Sequence, residues 1–527
     1  MSTIDLIVFA GFFVLVIAVS MYKSRREKTS EDYFLAGRSL IWPFIGMSMI
    51  AANISTEHIV GMSGQGARGI GLAIASYEWM AAVTMVVVAF FFLPKFLKSG
   101  IYTFPEYLEY RYTPSARSLM AFYTMLIYVF VLVASILYSG ALAMSTFFEG
   151  DSLFGIRLTL TNSVILIAVV AAIYTVWGGL RADAWADLFF GSSLIIGGAI
   201  ALFFGLKQVN GLGNFLAENQ DRLHMILPAD NKVLPWTALL FGLWIPNFYY
   251  WSVNQFITQR TLAAKSLKQG QLGILIAAGL KLLIPFIIVL PGIIAWQLYG
   301  GQMANPDQAF PMLIKKLIPA GISGFVFAAV FGAVISSLAS MLNSAATIFT
   351  MDIVKRKIHP AASQRQIVWT GRFSTAAFVI IGCIIAPWLG HPALRGIFTY
   401  IQEFQGFISP GILAAFVVAL AFKRAPRQAG LTALILNPII YGSLFIFCGT
   451  LPAFEKIRIA EIAFLNRMAL TFIIILAVLI AMTLISPLSR PVSMPERKQF
   501  EMETPKIAKF LGVAIILATV VLYIIFW

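Results

Sequence analysis

The stretch that decides the fold is Ala51-Ala52-Asn53-Ile54-Ser55-Thr56-Glu57-His58, followed closely by Gly61, Gly64 and Gly66. It lies in the apolar run 41–64. That run is long enough to cross a bilayer, which takes about 20 mostly apolar residues as a helix. Polar side chains in mid-span with glycines just beyond suit an interrupted helix, whose freed backbone carbonyls can coordinate an ion. A polar seam between packed helices is the other reading of the same residues.

The chain around it has 527 residues, 59% hydrophobic and 12% charged, with a mean hydropathy of +0.86. Soluble proteins carry about 25% charged and about 45–50% apolar residues. A soluble enzyme, a nucleic-acid binder and a disordered scaffold are therefore excluded. Fourteen candidate spans follow, at 3–22, 41–64, 70–94, 119–147, 158–177, 184–206, 233–259, 270–298, 319–352, 373–390, 396–422, 428–448, 468–486 and 510–527. The first lacks the short apolar core and cleavage site of a signal peptide and reads as an anchor. The longest connection, 207–232, is too short to bury a core of its own. Cys383 and Cys448 sit in apolar runs and form neither a metal pattern nor a disulfide framework.

The net charge of +15 is a topology signal. Of the 38 Lys and Arg, 26 fall in odd-numbered connections and 11 in even ones, with Lys281 inside a span. Positive charge stays in the cytoplasm, so both termini are expected outside it, in a plasma-membrane protein.

Polar residues inside spans are costly and point to function. The third span carries Tyr77-Glu78-Trp79. A carboxylate flanked by rings suits a polyol, although an interfacial aromatic belt has the same pattern. The seventh reads Trp244-Ile245-Pro246-Asn247-Phe248-Tyr249-Tyr250-Trp251, and Pro246 invites a break there. In the eighth, Lys281 must pair or face water, with Glu78 and Glu403 as candidate partners. In the ninth, Ala333, Ser336, Ser337, Ser340 and Ser344 share one face. That stripe suits close helix packing, or Ser336 and Ser337 as oxygen ligands of a hard cation. A broken second span followed by four more mirrors a broken seventh followed by four more, in inverted orientation. That arrangement points to a midplane site with alternating access.

The run Asp32 to Ser39, the stretch Ala51 to Gly64, the Trp177-Gly178-Gly179-Leu180 turn and the Ser336 to Asp352 segment resemble the sodium:solute symporters. They are most like the bacterial sodium/galactose symporter and the sodium/glucose cotransporters. The resemblance implies an all-α membrane protein of fourteen helices, with a five-plus-five inverted-repeat core of the leucine-transporter type. The expected units are 1–40, a first repeat 41–207, an extracellular loop 208–232, a second repeat 233–422 and three helices in 423–527. It implies sodium held by oxygens of Ala51, Ile54, Ala333, Ser336 and Ser337, with Asp187 on its exit path. Sugar-contacting positions fall on His58, Glu78, Asn247, Lys281 and Gln402. Gates fall on Met62, Tyr77 and Phe398 outside and Tyr250 inside, with Trp251 and Tyr128 also matching. His58, Ala81, Leu132 and Pro246 depart from the galactose symporter, which leaves the identity of the sugar open. The expected activity is sodium-driven uptake of a monosaccharide, with no cofactor and no nucleic-acid partner. Another polyol or a sugar acid is the alternative, and a non-transporting sugar sensor is a weaker one. The oligomeric state is not legible.

Overall fold

The computed structural model describes residues 3–24, 29–54, 57–148, 152–153, 156–303, 305–390, 397–449, 452–496 and 501–527. The chain is nearly all helical. Among the described residues the only strands are the two-residue pair Ser152–Leu153 and Ile156–Arg157.

The helix Ile322–Ile348 forms the centre, buried along almost its whole length. Leu160–Gln208 packs along it, and the two close tightly at Gly332. A Cβ there would lie 2.2 Å from a ring carbon of Phe190. The central helix thus does pack closely against its neighbour at a small residue. The first helix, Thr3–Ser24, caps the central one from outside. Its Asp5 carboxylate accepts from Gly321 N at 2.6 Å, Gly324 N at 3.0 Å and Ser323 Oγ at 2.7 Å. Those amides belong to a helix start and have no acceptor within the helix. At the periphery, Phe510, Val513, Leu517 and Ile524 of Lys506–Ile525 face outward, as lipid contact requires.

The second span is interrupted. Trp42–Asn53 ends at Ile54, whose ψ of 79° leaves the helical range. Ser55 and Thr56, at the break itself, lie outside the described residues. Helix resumes with the wide-turned segment Glu57–Met62 and continues as Ser63–Arg68. It stops at Gly69, whose φ of +111° suits glycine.

The seventh span is interrupted too, but not at Pro246. Trp244–Ser252 is preceded by the wide turn Ala238–Gly242, so the proline falls in the first helical turn. A missing N–H costs little there. The break lies instead at Val253 and Asn254, after which Gln255–Leu262 begins. The eleventh expected span bends by 45° between Ile397–Gln405 and Ser409–Ala421.

Ten helices of the described residues are long and apolar enough to cross a membrane, or eleven if the bent pair is one span. The expected count of fourteen exceeds this. The expected spans 41–64 and 233–259 are divided by breaks, and 158–177 is the first part of the continuous helix Leu160–Gln208. Backbone bonding runs helical through Trp177-Gly178-Gly179-Leu180, where a turn was expected. The 208–232 connection carries a helix at Leu212–Glu218 and a tight turn at Gln220–Arg222.

Candidate functional site

The two breaks face one cavity of about 40 Å³. That is room for a few water molecules and well short of the about 300–1,000 Å³ of an open small-molecule site, so the side chains around it are closed together. His58 and Met62 reach it from beyond the first break, and Tyr77 and Glu78 from the start of Ser76–Val87. Asn247, Tyr250 and Trp251 come from Trp244–Ser252, Lys281 from the middle of Leu267–Tyr299, and Phe398 and Gln402 from Ile397–Gln405.

The polar wall is a chain of bonds. Lys281 Nζ donates to Glu78 Oε2 at 2.5 Å and also to Asn53 Oδ1. The other Glu78 oxygen meets His58 Nε2 at 3.2 Å. Asn53 Nδ2 donates to the Tyr250 hydroxyl at 3.0 Å. Lys281 also lies 5.0 Å from the centre of the Trp251 ring, where a cation is attracted to the π-face. The ammonium and carboxylate are thus paired and hydrogen-bonded, as buried charges must be. Glu403, the other candidate partner of Lys281, pairs instead with Arg467.

Rings close the cavity at each end. Tyr77 and Phe398 meet edge-to-face with centroids 5.0 Å apart. Gly61 lets Phe398 approach, since a Cβ at 61 would sit 3.0 Å from the Phe398 Cβ. Tyr250 packs edge-on against Trp251 at 5.1 Å. Tyr128 is not part of the lining. Its hydroxyl donates to Asn254 Oδ1 and accepts from Phe256 N at 3.0 Å, clamping the second break.

A second polar region lies where the first break meets the central helix. Ser337 Oγ is 3.0 Å from Ala52 O and 3.4 Å from Ala51 O. Those carbonyls lie in the last turn of Trp42–Asn53, just before the break. Ile54 follows them, and Ala333 lies one turn before Ser337; both are buried. Ser336 turns to the other side and donates to Asp187 Oδ1. The opposite oxygen of Asp187 accepts from Ser48 and, at 3.3 Å, from Arg260.

Three participants escaped the sequence reading. Asn53 was noted as a polar mid-span residue without a role. Gln405 lines the cavity one helical turn beyond Gln402, a spacing that signals a shared face. Arg260 sits at the end of an apolar run and reads as a loop charge, yet it is fully buried.

The chain is similar to known proteins in both sequence and fold. The family model of the sodium:solute symporter family matches residues 33–437. The sodium/glucose cotransporter of Vibrio parahaemolyticus is 38% identical over 100% of this chain and 99% of its own. The sodium/myo-inositol cotransporter 2 of Mus musculus is 31% identical over 84% of this chain and 69% of its own. In three dimensions, a substrate-bound, outward-open Na+-coupled sialic acid symporter superposes with a TM-score of 0.80 at 22% identity. The match covers 93% of this chain and 99% of that one.

Proposed function

The chain belongs to the sodium:solute symporter family, and from that premise we propose that its solute is a neutral hexose or a related polyol. It is a sodium-coupled transporter of the membrane, not an enzyme, and Na+ is the co-transported ion.

One observation carries the choice of solute. The cavity's single cation is already committed to Glu78 and Asn53, while His58 Nδ1 and Asn247 Nδ2 have no partner among the described residues. An unpartnered buried polar atom costs about 1–3 kcal/mol. A hydroxyl, which donates and accepts, relieves both without adding net charge. A carboxylate would have to take Lys281 from Glu78, leaving a buried charge unpaired. The glucose and myo-inositol relatives favour the same reading, whereas the sialic acid symporter is similar in fold alone.

In the proposed cycle, sodium joins the carbonyls of Ala51, Ile54 and Ala333 to Ser336 and Ser337, bracing the first break against the central helix. Solute then binds beside it among His58, Glu78, Asn247, Lys281 and Gln402. Met62, Tyr77 and Phe398 close the outer side, and Tyr250 with Trp251 the inner one. Sodium leaves past Asp187. Each Na+ moving down 100 mV supplies about 2.3 kcal/mol before its concentration gradient is counted. Sodium must raise solute affinity as much as solute raises sodium affinity.

The same reading has fourteen spans in the plasma membrane, with both termini outside the cytoplasm. The repeats are 41–207 and 233–422. Its support is that the first segment of each proposed repeat is divided by a break.

The test is uptake into proteoliposomes from a panel of labelled galactose, glucose, myo-inositol and a hexuronate. Uptake of a neutral member is expected to follow an imposed sodium gradient. Preference for the hexuronate overturns the solute assignment, and uptake indifferent to sodium overturns the coupling.

A further inference from the structure

Arg260 is fully buried, as are Asp187, Ser48, Ser336 and Ser340 around it. Its Nε donates to Ser48, and its two terminal nitrogens reach the Phe256 carbonyl at 2.5 Å, Asp187 at 3.3 Å and Ser340. Asp187 in turn accepts from Ser48 on the Arg260 side and from Ser336 on the other. The guanidinium is therefore linked to Ser336 through one carboxylate.

We propose that Arg260 is a positioning residue for sodium: a tethered cation that cancels the Asp187 charge so that the ion is held by Ser336 and Ser337 but not trapped. The proposal rests on the sodium site argued above. Two physical points carry it. A serine that donates its only proton to Asp187 turns its lone pairs away from the carboxylate, toward any cation on the other side. A bare carboxylate behind that serine would also act on the cation directly. At an effective dielectric near 20, a unit charge about 5 Å away changes cation affinity by at least about tenfold. Such tight binding would slow release inside and stall the cycle. With the guanidinium in place, Asp187 orients Ser336 while the pair stays neutral.

The fold explains how the cation gets there. The break at Val253 and Asn254 redirects Gln255–Leu262 toward the Trp42–Asn53 helix and the central helix, carrying Arg260 between them.

The test is a charge cycle read by equilibrium binding of radioactive sodium to purified protein and, separately, by transport. Arg260→Gln is expected to tighten sodium binding by about tenfold or more while maximal uptake falls. Asp187→Asn, which leaves the guanidinium unbalanced, is expected to weaken binding by a similar factor. The double variant restores neutrality and returns affinity toward the starting value. A merely structural role would weaken binding in all three, and that result overturns the proposal. If Arg260→Gln does not fold, the comparison of Asp187→Asn with the double variant decides. Removing the arginine from that background must recover affinity, and a further loss overturns the proposal. Ser337→Ala separates the two levels of argument. If it leaves sodium binding unchanged, the sodium site itself is wrong. If it weakens binding while the charge cycle shows no reversal of sign, only the role of Arg260 falls.

Discussion

The cavity and the sodium region are built from the same parts, and they use them in opposite ways. Each lies at the first helix break, and each holds a buried ion pair, Lys281 with Glu78 and Arg260 with Asp187. In the cavity the pair stands in the wall, beside polar atoms that lack a partner among the described residues. In the sodium region the pair stands behind the proposed ligands, and its Asp187 carboxylate is satisfied from three sides. A site for hydroxyls needs both donors and acceptors left open. A site for a hard cation needs oxygens aimed and charge balanced at a distance. The contrast teaches that one arrangement presents its ion pair to the ligand while the other hides it.

The largest expected effect breaks the cavity side of that contrast. Lys281→Met leaves Glu78 buried beside a neutral side chain, at a cost of about 3–5 kcal/mol for an orphaned charge. Solute uptake is expected to fall more than about a hundredfold, read as initial rates at saturating sodium. Sodium binding at equilibrium is expected to change less, because Lys281 meets the first break only through the Asn53 side chain and not through the carbonyls beside Ser337. A parallel loss of sodium binding would show that the two regions are not separable.

Next comes the sodium side. Ser337→Ala removes the hydroxyl that meets the Ala51 and Ala52 carbonyls. One lost oxygen ligand is expected to raise the half-saturating sodium concentration about tenfold, with the solute KM at saturating sodium nearly unchanged. A smaller effect again is expected from Asn247→Ala, which removes an unpaired donor at the wall. Solute KM is expected to rise about fivefold without a change in the sodium requirement, measured by sodium titration of uptake. A shift in both constants would mean that the regions share a conformational step.

Much of the cavity was legible because lipid makes polar side chains expensive, so the few tolerated in mid-span converge. Glu78, Lys281, His58 and Asn247 stand out against their apolar neighbours for that reason. What stayed hidden depends on the path of the backbone. Pro246 looks like a breaking point, but the wide turn before it places it where a proline is harmless, and the chain breaks at Asn254 instead. Arg260 follows from that shift. A seventh span running to residue 259 would leave it in the connection beyond, whereas the break at Val253 and Asn254 buries it. The burial of Asp187 against two serines and an arginine was likewise unreadable, because its partners come from three separate helices.

The smallest effect concerns the break itself. Tyr128 touches neither solute nor ion site, yet its hydroxyl bridges Asn254 and the Phe256 amide across the second interruption. Tyr128→Phe keeps the ring and removes that bridge, worth about 1 kcal/mol for a neutral hydrogen bond. The bridge ties the start of the segment bearing Arg260 to Ile127–Val133, right after the segment bearing Tyr250 and Trp251, so loosening it touches both regions at once. Uptake is expected to slow by about two- to fivefold, with solute KM and half-saturating sodium each moving less than about twofold. If solute KM alone rose tenfold, Tyr128 would belong to the cavity, and the geometry that places it behind the wall would be the wrong guide to its role.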